Sequence, residues 1–503
     1  MRLRYENCRS LVTLSGMVRL RLRIRRCEAP DCRRFRVPYR PEAEGALALP
    51  QHEFGLDVIA LAGVLRHREH RSVPEIHAIL RGRGLDISER SVTNLLDRYD
   101  ELLATGLTGA RRLRRLLKPQ GGVILALDGL QPDVGHEVLW VVRDCLSGAV
   151  LLARSLLSGR GEDLEPLLCE VAAAVGVPVL GVVSDGQTSI RRAVERALPG
   201  VPHQLCQFHF LREAAHPVFE ADRHAKVVLK ARVRGVRPVE RSLEGRDDTA
   251  AEVARGYCAA LRSAITDDGR PPLAASGLKL KSRLEAVADS LDRVARKRGT
   301  TSALARLRAL IGRGLEGTAA LWPDIEWAYG WVHRAAHILG NTAGETAGAV
   351  RRRFDGLIGA MARYRNEAGG LAGAIDHFLK VTRSYRPGLF HCYAVAGLPR
   401  TNNDLEQMFG SQRYHERRAT GRKAASPALV LRGEVRLIAA TATRLHPPTA
   451  RDLGRVSRER WRDLRQRLEP RRLARTLRTR FRRDPAGYLA ALEHQACQQA
   501  LPT

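Results

Sequence analysis

Between residues 120 and 210, short apolar stretches alternate with punctuation that reads as strand ends and helix starts. Val123 to Leu127 form an unbroken apolar run that meets Asp128-Gly129. EVLWVVRD and AVLLARSLL follow, separated by the turn CLSG, and read as a hairpin. EDLEPLLCEVAAAVG has helical spacing, with acidic residues in the first turn where the macrodipole favours them. VPVLGVVSDG is then another buried strand that ends in a carboxylate, Asp185. RRAVERAL predicts a helix and VPHQLCQFHF a fifth short strand. A hairpin-rich beginning followed by crossovers predicts a mixed sheet with helices packed on it.

Other periods prevail on either side. SLVTLSGMVRLRLRIRRC alternates like a pair of strands. Residues 52 to 105 read as helical, with Ser72 capping one helix, Pro74 in its first turn, Gly82 and Gly84 breaking it and Ser88 capping the next. Ile76, Ile79 and Leu80 on the first, and Val92, Leu95 and Leu96 on the second, keep the period of packed helices. Two helices joined by a Gly-containing turn describe a helix-turn-helix, whose second helix would offer Glu89, Arg90, Thr93 and Asn94 to a DNA groove. The same pattern fits any three-helix bundle. From 215 to 395 the chain is helix-rich, with Trp322, Trp327 and Trp331 able to serve as core or to stack on an unpaired base. The expected division is therefore 1–44, a degenerate zinc-ribbon-like segment; 45–119, helix-turn-helix; 120–214, first part of the sheet domain; 215–395, helical insertion; 396–440, last part of the sheet domain; and 441–503, a basic, solvated helical tail.

Charge changes the picture more than hydrophobicity does. Lys and Arg number 84 against 54 Asp and Glu, a formal +30 over 503 residues. Arginine dominates that excess and makes forked contacts to phosphate, so the expected partner is a polyanion, in the first place double-stranded DNA. MRLRYENCRSLV has no apolar core before a small-residue cleavage site, and no apolar run reaches the length of a bilayer span. Nine scattered cysteines do not read as a disulfide framework, so a cytoplasmic protein with reduced thiols and no membrane partner is expected. Cys8, Cys27 and Cys32 could belong to a zinc ribbon, although Tyr5 stands where a partner for Cys8 would be. A decayed ribbon is the alternative.

Asp-Gly is a favoured turn dipeptide, and each aspartate taken alone has that ordinary explanation. Two of them, each following a buried strand, point instead to a shared divalent cation, since close carboxylates repel without one. Mg²⁺ or Mn²⁺ takes hard oxygen ligands, and a pair of such ions serves phosphodiester chemistry. A third carboxylate is then needed. LPRTNNDLEQMFGSQRYHERRATGRK supplies Glu406 beside the helical stripe Leu405, Met408 and Phe409, with Asn402, Asn403 and Asp404 as competent caps. Asp404 and Glu416 are rivals for the same role. Arg413, Arg417, Arg418, Arg422 and Lys423 form a dense phosphate-binding set beside it.

LDG, SDGQTSIRRAVERALPGVPHQLCQFHFLREA and TNNDLEQMFGSQRYHERRATGRK together resemble DDE transposases, in particular the Mutator-like group and its bacterial insertion-sequence relatives. The resemblance covers roughly residues 120 to 425. It implies an α/β ribonuclease H-like core in which the ends of the first and fourth strands lie side by side, interrupted by a large all-helical insertion. Asp128, Asp185 and Glu406 would be the catalytic, metal-binding carboxylates, and Cys206 with His209 a structural pair that could hold half a zinc site. His203, His216 and Cys258 are candidate partners for that pair. The implied activity is binding of the terminal inverted repeats of an insertion sequence, metal-dependent cleavage and strand transfer into target DNA, carried out by a homo-oligomer on DNA. Alternatives are a domesticated or decayed copy acting as a DNA-binding regulator, and a ribonuclease H-like nuclease.

Overall fold

The computed structural model describes residues 1–131, 137–423 and 427–499. The chain folds into two compact units, one made of Met1–Val182, Thr188–Val201 and Asn402–Thr503, the other of Val183–Gln187 and Pro202–Thr401. Front end, most of the sheet and basic tail thus share the first unit, while the helical unit runs from 202 to 401 rather than from 215 to 395.

The first unit begins with two long antiparallel strands, β1 (Arg2–Thr13) and β2 (Gly16–Arg26), and a two-residue third, β3 (Pro38–Tyr39), in the order β1-β2-β3. Helices Leu56–His67, Val73–Gly82 and Glu89–Leu107 follow. Ser72 accepts from the Glu75 N–H in a reciprocal capping box, Pro74 stands in the first turn, and Ser88 accepts from the Ser91 N–H. Gly84 takes φ +83° just beyond the first of these ends. Ile76, Leu80, Val92, Leu95 and Leu96 are buried together with Leu56, Ile59 and Tyr99. A Cβ on Gly63 would run into the Tyr99 ring, so that glycine lets two helices approach closely.

The sheet of this unit comprises β4 (Val123–Leu130), β5 (Val138–Asp144), β6 (Val150–Leu156) and β7 (Val179–Ser184) in the order β6-β5-β4-β7. β4, β5 and β6 form an antiparallel meander. Helix Gly161–Val175 then returns the chain to β7, so the first and fourth strands of this series are neighbours. Asp144, fully buried, closes the meander: its carboxylate accepts from Ile124 N at 3.0 Å, Ser147 N at 2.8 Å and Gln120 Nε2 at 2.9 Å.

The expected solvated tail is in part a core element. Leu453 and, on helix Arg458–Arg483, Trp461 are buried in one apolar cluster with the front-end helices, which also takes Ala439 of the preceding helix Pro427–Leu445. Trp461 Nε1 donates to buried Glu101 at 2.8 Å. A tail helix with two apolar anchors, Trp461 and Leu468, gains more by docking them than by solvation. Arg472 to Gln498 are mostly exposed, as a basic arm would be.

In the second unit the last residues of β7 border β8 (His203–Leu205), with Cys206 N donating to Ser184 O at 2.8 Å. The rest is helical around one core that includes Phe210, Tyr329, Phe354, Phe378 and Phe390. Trp322 is buried and donates to Thr318 Oγ1 at 3.2 Å, Trp331 is buried further along the same helix, and Trp327 packs half-buried against the same core. These tryptophans are core residues, so Trp322 and Trp331 have no face free to stack on a base. Among the described residues, no helix is long and apolar enough to cross a membrane.

Trp461→Ala should destabilise the first unit by about 3–5 kcal/mol, the range for removing a buried aromatic. Leu473→Ala, at an exposed position of the same helix, should cost about 0.5 kcal/mol or less. Equilibrium denaturation of both variants checks the difference, and equal losses would mean that Trp461 is not an anchor.

Candidate active site

The two Asp-Gly pairs differ in conformation. β4 does not stop at Asp128: it continues to Leu130, and Asp128 lies in register with Val141 and Gly129 with Trp140. Gly129 is not a turn residue. A Cβ there would lie 2.9 Å from Val138 and 3.3 Å from the Trp140 ring, so its small size lets those side chains pack over the strand. Asp128 is thus a half-buried carboxylate inside a strand, its Oδ1 accepting from Gly129 N at 2.8 Å. Asp185 does leave its strand, directly after β7, and Gly186 takes φ +88°. Its Oδ1 accepts from Gln187 N at 3.0 Å. The Tyr385 hydroxyl lies 3.1 Å from the Asp185 carbonyl and 2.8 Å from the Glu213 carboxylate, which fixes the backbone of this turn.

Glu406 is positioned from one end of helix Asn403–Thr420. Leu405, Met408 and Phe409 are its buried stripe, as their spacing requires. Asn402 occupies the cap position without capping; its buried side chain instead donates from Nδ2 to Leu127 O at 3.3 Å. That bond ties the helix start to the residue before Asp128. Glu406 follows one turn later, with its N–H on the Asn402 carbonyl at 3.3 Å. Its side chain is half-buried. The rivals separate cleanly. Glu416, ten residues or about 15 Å further along the helix, is buried in an ion pair with Arg436 at 2.9 Å. Asp404 is exposed, and two residues of helix turn it to nearly the opposite side from Glu406. Arg413, Arg417, Arg418, Arg422 and Lys423 are all exposed.

The far end of the same helix is held by a polar cluster absent from the sequence reading. His415 Nδ1 meets His70 Nδ1 at 2.8 Å, and Arg66 donates to Ala419 O at 3.0 Å. His67 bonds Asp100 at 2.7 Å and lies 5.3 Å from the His415 ring. Burial drives His415 far below the ordinary histidine value, with nearby His67, Arg436 and Arg66 adding to it. Burial also lowers His67, offset in part by Asp100, and lowers His70 with help from Arg444. His67 ends one helix, His70 lies in the loop just after it and His415 is on a helix about 350 residues later, so only tertiary packing brings them together.

Glu89, Arg90, Thr93 and Asn94 are exposed on one side of helix Glu89–Leu107, while Val92, Leu95 and Leu96 face the core. The cysteines fare otherwise. Cys8 lies opposite Arg21, six residues before Cys27 on the neighbouring strand, which puts it about 20 Å from the Cys27 end of the ribbon. Zinc ligands must all stand about 2.3 Å from one ion, so Cys8 does not join Cys27 and Cys32. Those two are close: the backbone of Arg34 and then the Cys27 side chain hold the Cys32 thiol below its ordinary value. Cys206 is buried at the start of helix Gln207–Ala214, His209 lies one turn on, His203 bonds Ser184 Oγ at 2.9 Å, and His216 is exposed. Among the described residues, no three of His, Cys, Asp and Glu gather as they would about a metal ion. That holds for the cysteine sets and for the three carboxylates alike. The carboxylates do offer the hard oxygen donors that Mg²⁺ or Mn²⁺ requires.

In comparisons with known proteins, no family model matches the chain and no curated protein matches it either.

Stability should fall as pH drops from about 6.5 to 4. His52, pushed to about 4 chiefly by burial, and His67, His70 and His415 bind protons more readily in the unfolded chain. Their contribution is complete above the unfolded histidine value, about 6.5, and is lost below it. Most carboxylates titrate lower, near 4, and Asp97 and Asp222, raised chiefly by burial, act in the opposite sense, so a fall in melting temperature from pH 7.5 to 4.5 reports the histidines. A flat profile would contradict their neutral burial.

Proposed function

We propose that this chain is a DDE-type transposase with a ribonuclease H-like core, acting on the ends of its own DNA element. The observation that carries the reading is the Asn402 bond to Leu127: it sets the helix bearing Glu406 against the strand bearing Asp128. Support also comes from the adjacency of β4 and β7, the strands that Asp128 and Asp185 belong to or follow. In this reading Asp128, Asp185 and Glu406 hold Mg²⁺ or Mn²⁺, which would supply an activated hydroxyl and charge stabilisation at the leaving oxygen.

The chain's own side chains have separable tasks. Arg413, Arg417, Arg418, Arg422 and Lys423 would hold backbone phosphates beside the scissile bond and so position it. Arg90, Thr93 and Asn94 would read base edges, with the rest of the helix packed too firmly to shift. Joining two element ends calls for at least two copies of the chain on DNA.

Asp128→Asn, Asp185→Asn and Glu406→Gln should each abolish cleavage and strand transfer on a duplex carrying the element end, with end binding near wild type. Asp404→Asn should cleave normally. Glu416→Gln should melt earlier, because it leaves Arg436 buried without its countercharge. Normal cleavage by all three carboxylate variants would overturn the reading, and cleavage indifferent to end sequence would favour a nuclease. Inverted repeats bordered by short direct duplications around the reading frame are the independent genomic check.

Arg90→Ala with Asn94→Ala should erase the preference for element ends over random duplex while leaving general affinity nearly intact. Binding curves on both DNAs decide it; equal losses on the two would mean that this helix reads no bases.

A further inference from the structure

The ribbon β1–β2 has two unlike faces. Residues opposite one another in a ladder share a face and alternate along each strand. Leu11, Leu22 and Ile24 are buried, and Arg9 reaches from β1 to buried Glu44 at 2.6 Å. The alternate positions of β2 are Arg19, Arg21, Arg23 and Arg25, every one exposed. Opposite them stand Ser10, Cys8, Glu6 and Leu3. The core needs none of these four arginines.

Four arginines at alternate positions of one strand lie about 6.7 Å apart, a row of roughly 20 Å. Glu6 pairs with Arg21 at 2.9 Å and Arg23 at 3.4 Å, so four positive charges less one negative leave +3 on this face. Arg21 and Arg23 are still 75% and 70% exposed. Side-by-side like charges on a strand repel and stabilise nothing by themselves. They become favourable against a regularly spaced polyanion. Duplex DNA is the partner whose shape also fits, because its major groove, about 12 Å wide, admits a two-stranded β-ribbon. A lipid surface fits less well, since Ser10, Cys8 and Glu6 share the face and Leu3 alone is apolar among the residues opposite the arginines.

We propose that the arginine face of the β1–β2 ribbon is a second duplex-binding surface, gripping backbone phosphates without any metal. It extends the DNA-binding part of the function proposed above. Cys8, opposite Arg21, stands in the middle of this face; its position suits a contact surface and not a metal knuckle.

The test uses the full chain and a random-sequence duplex of about 30 base pairs, with no cleavage involved, so its outcome is independent of the carboxylate variants. Affinity is measured across a salt series for wild type, for Arg19, Arg21, Arg23 and Arg25 all changed to Gln, and for the same four changed to Lys. Each neutralised phosphate contributes about −0.9 to the slope of log affinity against log salt. The Gln variant should lose about 2 to 4 units of slope and bind at least tenfold more weakly at 100 mM salt, with its melting temperature unchanged. The Lys variant should keep most of the slope, because phosphate attraction needs the charge and not the fork. An unchanged slope in a folded Gln variant overturns the proposal. So does a Gln variant that keeps the DNA slope but loses binding to phosphatidylserine vesicles, which would make the face a membrane surface.

Discussion

One buried carboxylate ties together segments that are far apart in the chain. Glu101, 1% exposed on helix Glu89–Leu107, accepts from Arg432 at 2.9 Å and from Trp461 Nε1 at 2.8 Å, with Arg98 at 3.4 Å and Arg465 at 3.6 Å. Burying an ion without partners costs several kcal/mol, whereas a fully bonded one is tolerated and selects a single arrangement. In a chain with so many arginines, the scarce buried carboxylates decide which arginines turn inward. Glu101 takes Arg432 and Glu416 takes Arg436, both from helix Pro427–Leu445. Glu434, on that helix, takes Arg471 at 3.0 Å. The return of the C-terminal helices to the front-end helices rests on these pairs.

The same economy orders the proposed site. A carboxylate held by buried partners is structural, and Asp144 and Glu416 are of that kind. Asp128, Asp185 and Glu406 are half-buried. Helix Asn403–Thr420 is fixed at both ends, by Asn402 on the strand side and by His415 and Ala419 on the front-end side. Glu406 therefore sits on a rigid element, which any positioned chemistry requires. The exposed arginines of that helix point outward, so phosphate binding and helix anchoring do not compete for the same side chains.

Local sequence rules accounted for the elements. Period-2 and period-3.6 patterns located most strands and helices, although the expected fifth strand stops at Leu205 and Gln207–Phe210 open a helix, and Ser72, Glu75 and Ser88 set helix starts by hydrogen bonds that reach only three residues. The exposed face Glu89, Arg90, Thr93 and Asn94 followed from the helical period once Val92, Leu95 and Leu96 were assigned inward. Such properties depend on neighbours in the chain, so the chain alone determined them.

Other features required partners far away in sequence, and only the tertiary structure decided them. Asp128-Gly129 reads as a turn until Val138 and Trp140 pack over the glycine and draw the strand onward. Cys8 reads as a ligand beside Cys27 and Cys32 until the register of β1 on β2 carries it about 20 Å from them. The tail reads as solvated until Trp461 finds Glu101, and His67, His70 and His415 mean nothing until the helix of His415 packs against the segment that carries the other two. Asn402 reads as a helix cap until Leu127 offers it a carbonyl. In each case a side chain had two acceptable local roles of similar energy, and a contact spanning from about ten to several hundred residues chose between them.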